Sequence, residues 1–343
     1  MSMEALVYYY PDGHALHHET GHPERPERIE VIRKALQQRG WWDSFPKLQP
    51  IEIPPAVLTI VHSPAYLNLL EISCRRGGHL DADTYLTPAS WQLALATAGG
   101  AAAVAQSVWN GQASRGLALT RPPGHHATHG QGMGFCLLNN IALAAEYLLK
   151  IENCQRIAIV DIDLHHGNGT QDIFYHRGDV FYTSIHQSPL YPGTGALDEM
   201  GEGDGYGLTA NFPLPPGAGD VAYMSVLQEL ILPLVNRYQP EIVLISYGFD
   251  AHWSDPLGHQ MLSAEGYHSM INQLVDWAEA NCGGRVAIFL EGGYSLDAAA
   301  ACTRCVVSAL LGEAEVDTLG KPTYAESSLW RRVLERAHGL WNI

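Results

Sequence analysis

The chain lacks the features that mark secreted and membrane-spanning proteins. Its first residues contain no basic segment followed by an apolar one, so we expect no signal peptide, and no apolar run reaches the length of a membrane span. Six cysteines scattered over 343 residues do not suggest a disulfide framework. Cys302 and Cys305 form a lone CxxC in an Ala-rich stretch, which favours buried thiols on a helix over a metal site. We therefore expect a cytoplasmic protein without a membrane partner.

Basic residues are also scarce. Lys and Arg number 20 against 36 Asp and Glu, which gives a formal net charge of −16. Binding to a nucleic acid backbone needs clustered positive charge, so this balance argues against a nucleic acid partner. It is compatible with cationic substrates such as polyamines and lysine side chains, although acidity alone also serves solubility. Hydrophobic residues make up 46% of the chain, which is typical of a globular protein rather than a disordered one.

Short apolar runs alternate with longer stretches of helical periodicity. The runs lack strict alternation of polar and apolar residues, as expected of parallel strands buried on both faces. We predict strands at Ala5–Tyr10, Leu117–Thr120, Arg156–Asp163, Val180–His186, Glu241–Gly248 and Arg285–Glu291. We predict helices at Pro26–Gly40, Ser63–Arg75, Pro88–Asn110, Leu137–Lys150, Thr170–His176, Asp220–Tyr238 and Ser263–Asn281. This order predicts an α/β protein with a doubly wound parallel sheet, formed by residues 1–343 as a single domain.

Dense polar clusters follow four of the predicted strands. They are RPPGHHA at Arg121–Ala127, DIDLHHGNGT at Asp161–Thr170, GFDAH at Gly248–His252 and EGGY at Glu291–Tyr294. Ligands of open α/β sheets bind outside the carboxyl ends of the strands. We therefore expect the four clusters to converge on one crevice.

Two of these clusters contain candidate metal ligands. In an extended segment, residues two apart point to the same side, so Asp163 and His165 can reach one ion together. Asp250, at the end of another strand, offers a third ligand. Two carboxylates and one imidazole leave open positions for water and substrate, as a catalytic zinc site requires. The alternative is that these groups only cap strand ends and carry solvated loop charge.

The other clusters contain candidates for proton transfer and for oxyanion stabilisation. His125 or His126 could take a proton from a metal-bound water and pass it to a leaving amine, and Asp161 and Asn168 are available to orient their rings. Tyr294 follows two glycines, so its hydroxyl could turn into the crevice and donate to a developing oxyanion. The alternatives are structural histidines and a tyrosine packed in a surface turn.

With these motifs in their order, the chain resembles the histone deacetylase family, whose fold is the arginase–deacetylase fold. The match runs from HPERPER at His22–Arg28 to EGGYSL at Glu291–Leu296. GFCLLNN at Gly134–Asn140 and YPGTG at Tyr191–Gly195 also fit the family. HHGNGTQ at His165–Gln171 resembles the class II branch, which includes bacterial deacetylase-like amidohydrolases and acetylpolyamine amidohydrolases.

The resemblance implies a mostly parallel eight-stranded sheet with helices on both faces. It implies zinc on Asp163, His165 and Asp250, with Fe²⁺ an alternative metal in the cell. It also implies a structural potassium ion near the zinc. The residues that would hold potassium, partly through backbone oxygens, are Asp161, Asp163, His165, Ser184 and Ile185.

The resemblance also implies roles for the remaining site residues. His126, beside Asn168, would be the main general base and acid, and His125, beside Asp161, an electrostatic and hydrogen-bonding partner. Tyr294 and the metal would polarise the acyl carbonyl. The residues that would contact substrate are Gly134, Phe135 and Tyr191 in a narrow tunnel, and Asp83 and Leu257 at its rim.

The substrate stays open between two classes of acylated amine. Acyl-lysine side chains are the leading prediction, and acetylpolyamines or other small acylated amines are the alternative. Leu257 stands where eukaryotic polyamine deacetylases have a glutamate, which disfavours polyamines, although the acidic loop Asp198–Asp204 could supply charge. A homo-oligomer is also open, because some bacterial relatives narrow the entrance through a dimer contact. A sensor that binds acylated amines without hydrolysis is a third reading, disfavoured by the complete set of ligands, histidines and Tyr294.

Overall fold

A seven-stranded parallel sheet forms the centre of the computed structural model, which describes residues 3–343. Its strands are β1 Glu4–Tyr9, β4 Ala113–Ala118, β5 Ile157–Asp161, β6 Val180–Gln187, β7 Thr209–Leu214, β8 Ile242–Tyr247 and β9 Val286–Leu290. They lie side by side in the order β1-β4-β9-β8-β5-β6-β7, and every neighbouring pair is parallel. Two further short strands, β2 Gly78–His79 and β3 Tyr85–Leu86, form a separate antiparallel pair.

Helices cover both faces of this sheet, which confirms the predicted α/β architecture. Along β5, Ile157 and Ile159 face one hydrophobic core, and Ala158 and Val160 face the other, as the two-residue period of a strand requires. The first core also receives α2 Pro55–Val61, α3 Pro64–Arg76, α4 Ser90–Trp109, α5 Asn140–Lys150 and α6 Asn168–Phe174. The second receives α1 Glu27–Gln38, α7 Asp220–Val226, α8 Leu232–Tyr238, α9 Ala264–Asn281, α10 Leu296–Leu311 and α11 Arg331–Trp341.

The sheet differs from the expectation in the number of its strands. Within residues 3–343 the main sheet has seven strands rather than eight. The sequence-based prediction also missed β7, whose sequence TANFPL contains Pro213. Proline cannot donate a ladder hydrogen bond, but β7 is an edge strand, where that loss is tolerated.

The four polar clusters follow strands that are neighbours in the sheet. They come after β4, β5, β8 and β9, and these strands stand together in the order β4-β9-β8-β5. In the register of the sheet, Asp161 pairs with Ser246, and Tyr247 pairs with Leu290. The carboxyl ends of these four neighbouring strands therefore lie next to one another, along the carboxyl side of the sheet.

No helix within residues 3–343 combines the length and the apolar character that crossing a bilayer requires.

Candidate active site

Asp163, His165 and Asp250 form a compact group of metal-ligating atoms. One ligand atom from each lies within 4.8 Å of the others. The His165 Nδ1 atom lies 3.2 Å from Asp163 Oδ1 and 3.1 Å from Asp250 Oδ2. Both carboxylates are fully buried, and the His165 side chain is 12% exposed. Two buried carboxylates this close repel each other unless a cation lies between them, so the donor set fits a divalent metal ion.

The backbone around these ligands is shaped to bring them together. The Gly292 amide donates to Asp163 Oδ2 at 2.7 Å, and the Leu164 amide donates to Asp250 Oδ1 at 3.1 Å. A Cβ atom at Gly292 would overlap carboxylate oxygens of both Asp163 and Asp250. Glycine at this strand end therefore leaves room for two carboxylates that approach one point.

The two adjacent histidines lie beside this group, and each has its own partner. The His125 Nδ1 atom lies 3.0 Å from Asp161 Oδ2, and the His126 Nδ1 atom lies 2.8 Å from Asn168 Oδ1. Their ring centroids are 4.1 Å apart, and the His126 and His165 centroids are 5.8 Å apart. An Asn Oδ1 atom only accepts hydrogen bonds, so the proton of neutral His126 sits on Nδ1 and leaves Nε2 as the basic nitrogen.

The electrostatic surroundings shift the pKa values of the two histidines in opposite directions. Burial alone would lower the pKa of His125, but the carboxylates of Asp161 and Asp163 outweigh it and raise this pKa to about 10. Burial lowers the pKa of His126 well below its usual value, and the nearby His125 lowers it further. The neighbouring carboxylates thus favour the protonated form of His125, whereas burial and His125 favour the neutral form of His126.

Tyr294 is buried beside Phe135, with only 8% of it exposed. Its ring meets Phe135 edge to face at 5.7 Å, and the Arg28 guanidinium lies 5.0 Å from the ring centroid. Burial raises the pKa of Tyr294 well above its ordinary value, although Arg28 opposes this shift. The hydroxyl therefore keeps its proton and can act as a hydrogen-bond donor.

Phe135 and Tyr191, the two predicted tunnel residues with aromatic rings, each contact another ring of the site. The Tyr191 ring meets the His126 ring edge to face at 5.2 Å, and Tyr191 is 39% exposed. Phe135 has a φ of 67°, an uncommon conformation for a bulky residue, and its amide donates to Thr84 Oγ1 at 3.1 Å. A Cβ at Gly134 would lie 2.5 Å from a His126 ring carbon, so only glycine fits beside this histidine.

The predicted rim residues lie in two separate segments. The Asp83 carbonyl oxygen lies 2.9 Å from His22 Nε2, and the His22 ring meets Phe135 edge to face at 4.7 Å. Asp83 therefore lies near Phe135, with His22 between them. The other predicted rim residue, Leu257, is 38% exposed and donates its amide to Asp255 Oδ1 at 3.0 Å.

Three of the five residues predicted to hold potassium lie on two paired strands, and the other two, Asp163 and His165, follow the first of these strands. Asp161 and Ser184 are register partners on β5 and β6, and Ile185 follows Ser184 and is fully buried. The Ser184 hydroxyl lies 2.9 Å from His186 Nδ1. These residues are adjacent to the metal ligands along the chain and in the sheet.

Sequence reasoning missed the charged residues that support this crevice. Glu24, fully buried, accepts hydrogen bonds from Arg28 at 3.2 Å and from Arg121 at 2.7 Å. Burial opposes ionisation of Glu24, but Arg121 and Arg28 outweigh it and lower the pKa of this carboxyl to about 2. Glu291 accepts from the amides of Gly124 and His125 at 2.7 and 3.0 Å, and so holds the histidine turn. The signal was the run of charges at His22–Arg28, next to prolines and at the start of a helix.

The fold and these residues define a class of protein: an open parallel α/β sheet with a carboxylate–imidazole triad that could hold a metal ion and a histidine pair, both at its carboxyl edge. The family model described as histone deacetylase domain matches residues 22–310. The chain therefore belongs to the histone deacetylase family, which is a family of hydrolases.

Individual relatives agree with this assignment. A protein of Archaeoglobus fulgidus named "Probable deacetylase" is 42% identical over 314 residues, which cover 91% of this chain and 87% of the relative. The "Histone deacetylase-like amidohydrolase" of Pseudomonas aeruginosa is 38% identical over 297 residues, 85% of this chain and 77% of the relative. The crystal structure of the HDA15 HD domain superposes with a TM-score of 0.91 at 33% identity, covering 99% of this chain and 95% of that one.

Proposed function

We propose that the protein is a zinc-dependent deacylase that removes acetyl or other acyl groups from amines, with acyl-lysine side chains as the leading substrate. The observation that carries this proposal is that the candidate metal ligands and the histidine pair lie side by side. A buried triad suited to a divalent metal lies beside a histidine whose basic nitrogen is free. Linear amide hydrolysis needs both an electrophilic centre and a group that moves protons at the same carbonyl.

The proposed zinc would be held by Asp163, His165 and Asp250, where it would activate a water molecule and polarise the acyl carbonyl. His126 would take the proton of the attacking water on Nε2, because its Nδ1 is committed to Asn168. The same nitrogen would then give a proton to the leaving amine. Asp161 would keep His125 oriented and cationic, so that it stabilises the negative charge of the tetrahedral stage without acting as the base.

Tyr294 would complete the oxyanion site. Its neutral hydroxyl can donate a hydrogen bond to the oxygen of the acyl group as charge develops there. Arg28 over the ring face and Phe135 at its edge restrict the position of this ring. Gly134, Phe135 and Tyr191 would enclose the alkyl stem of the amine, because apolar and aromatic walls suit a methylene chain.

We further propose that potassium binds between β5 and β6 and helps to fix the positions of the candidate metal ligands. Asp161, Ser184 and Ile185 would hold it together with backbone oxygens of Asp163 and His165. The pairing of Asp161 with Ser184 across the two strands supports this placement. Fe²⁺ in place of zinc would use the same three ligands.

Acetylpolyamines are the second candidate substrate, and the rim near Asp83 favours them. Asp81 accepts amide hydrogen bonds from Asp83 and Thr84, which keeps two carboxylates close together near Phe135. A second ammonium group on the substrate would relieve the repulsion between these carboxylates. Leu257 disfavours acetylpolyamines, since this second predicted rim residue offers no negative charge to an ammonium group.

Substrate preference can be measured on the zinc-loaded protein. We expect kcat/KM to be higher for acetyl-lysine peptides than for N-acetylputrescine and N8-acetylspermidine, and Tyr294→Phe to lower it for every substrate that is turned over. A preference for polyamines of more than about 100-fold, or about 2.7 kcal/mol of discrimination, would reverse the ranking of the two substrates. The absence of turnover on acetyl-lysine peptides, longer acyl-lysines and acetylpolyamines alike would contradict the proposed hydrolytic function.

A further inference from the structure

Glycine restricts the backbone before Tyr294 less than any other residue would. Gly292 and Gly293 precede it, and Gly293 has a φ of 111°, which lies in the region that favours glycine. The tyrosine hydroxyl must nevertheless occupy one place if it is to stabilise an oxyanion, since such donors act through preorganisation. The position of Tyr294 therefore depends on hydrogen bonds that hold its own backbone.

Asp255 makes these hydrogen bonds from the rim segment. Its Oδ2 atom accepts from the Tyr294 amide at 2.6 Å and from the Ser295 amide at 3.0 Å. Its Oδ1 atom accepts from the Leu257 amide at 3.0 Å. Asp255 is only 6% exposed, so both oxygens of a buried carboxylate are used on backbone donors. Hydrogen bonds from neutral amides to a buried carboxylate are among the stronger ones in proteins.

The surroundings of the Tyr294 turn explain why a carboxylate suits this place. Arg28 donates to the carbonyl oxygens of Glu291 and Gly293 at 2.6 and 2.5 Å, so the acceptors of the turn already have a partner. The amides of Tyr294 and Ser295 point the other way, at the start of α10. Ser295 is the N-cap of α10, so the carboxylate of Asp255 lies at the N-terminus of this helix, where the helix dipole favours a negative charge.

We propose that Asp255 is a positioning residue that fixes the backbone of Tyr294, and thereby its hydroxyl, and ties it to the rim segment that carries Leu257. This inference rests on the proposed function, because it assigns Asp255 a role in the same reaction. The hydrogen bonds of the Asp255 carboxylate reach no candidate metal ligand, so its proposed effect on catalysis is exerted through Tyr294.

A double-mutant cycle tests the proposal. We expect Asp255→Ala to lower kcat by about 30-fold when Tyr294 is present and by less than about threefold in the Tyr294→Phe background, because residues that act together give non-additive effects. KM and zinc content should stay near their wild-type values in both backgrounds. A residue with a merely structural role would lower kcat by the same factor in each background, and that result would overturn the inference.

Two further variants make the cycle specific. Asp255→Asn keeps an oxygen that can accept from Tyr294 and Ser295, so we expect it to retain kcat within about fivefold even if Asp255→Ala folds poorly. The proposal is contradicted if Asp255→Asn loses as much kcat as a folded Asp255→Ala variant. It is also contradicted if kcat falls strongly in Asp255→Asn but not in Asp255→Ala. Ser254→Ala is the matched control, since Ser254 links the same two segments through Ser295 Oγ at 3.3 Å without holding a Tyr294 amide.

A second readout separates this inference from the proposed function. Hydrogen–deuterium exchange of the Tyr294 and Ser295 amides should speed up in Asp255→Ala and stay unchanged in Ser254→Ala. If the wild-type protein turned over no acylated amine, the proposed function would fail while this exchange measurement still tested the positioning. Unchanged exchange in a folded Asp255→Ala variant would overturn the inference whatever the activity.

Discussion

At the scale of single residues, the two adjacent histidines differ in the partner of their Nδ1 atom. His125 contacts a carboxylate and His126 contacts an amide oxygen. A carboxylate stabilises an imidazolium, whereas an amide oxygen fixes the tautomer without adding a full charge. The proposed division of labour between the pair follows from this difference.

We therefore expect His126→Ala to lower kcat by about 10²–10⁴-fold, because it removes a general acid–base group. Zinc content should stay near one ion per chain, since His126 is not among the three candidate ligands. Steady-state kinetics with an acetyl-lysine peptide and metal analysis of the same preparation check both statements. His176→Ala is the control, as its side chain is 67% exposed. A loss below about fivefold in His126→Ala would remove this residue from the mechanism.

At the scale of secondary structure, the strand ends explain both what the sequence predicted well and what it missed. The strands β5, β8 and β9 are short, apolar and buried, so their continuous apolar runs identified them. The first half of β4 was not predicted, because Arg115 and Gly116 interrupt its apolar run. A buried arginine in a strand depends on partners such as Glu279 that are distant in sequence. Asp255 was missed, and Glu291 was named only as a member of the EGGY cluster, because hydrogen bonds across segments leave no local pattern in the sequence.

The end of β9 offers a test of the metal site. A methyl group at Gly292 would displace the carboxylates of Asp163 and Asp250, so we expect Gly292→Ala to weaken zinc binding by at least about tenfold, as changes next to metal ligands do. Competition with a chromophoric chelator measures this affinity. Gly339→Ala in α11 is the matched control, because a Cβ there meets no atom within 4 Å. Wild-type affinity in Gly292→Ala would contradict the placement of the ion.

At the scale of the whole molecule, buried neutral histidines make the stability depend on pH. His62 accepts a hydrogen bond from the Asn139 amide at 2.9 Å, and its Nδ1 lies 2.9 Å from the Thr128 carbonyl oxygen, so it joins α2 to the segments around the site. Burial lowers the pKa of His62 to about 4, and the nearby His129 lowers it further, although the bond to Thr128 opposes the shift. The ordinary pKa of histidine is about 6.5, so the unfolded chain binds more protons between these two values.

The free energy of unfolding should therefore be insensitive to His62 above about pH 6.5 and should fall as the pH drops toward 4. In His62→Gln, we expect the destabilisation relative to wild type to shrink by about 2 kcal/mol between pH 7 and pH 4.5, since each unit of pKa difference corresponds to about 1.4 kcal/mol. Urea denaturation at both pH values gives this difference. The exposed His176→Gln variant should show no such change, and a pH-independent difference for His62→Gln would contradict the expectation.

The position of β9 has a consequence for how the site comes into being. This strand is the last of the sheet along the chain, yet it lies between β4 and β8 in the middle of the sheet. The histidine pair follows β4, while the metal ligands follow β5 and β8, so the two halves of the chemistry belong to two half-sheets until β9 joins them. Catalytic competence therefore requires the chain as far as Tyr294, because β9 fills the gap between the strands that carry these two groups.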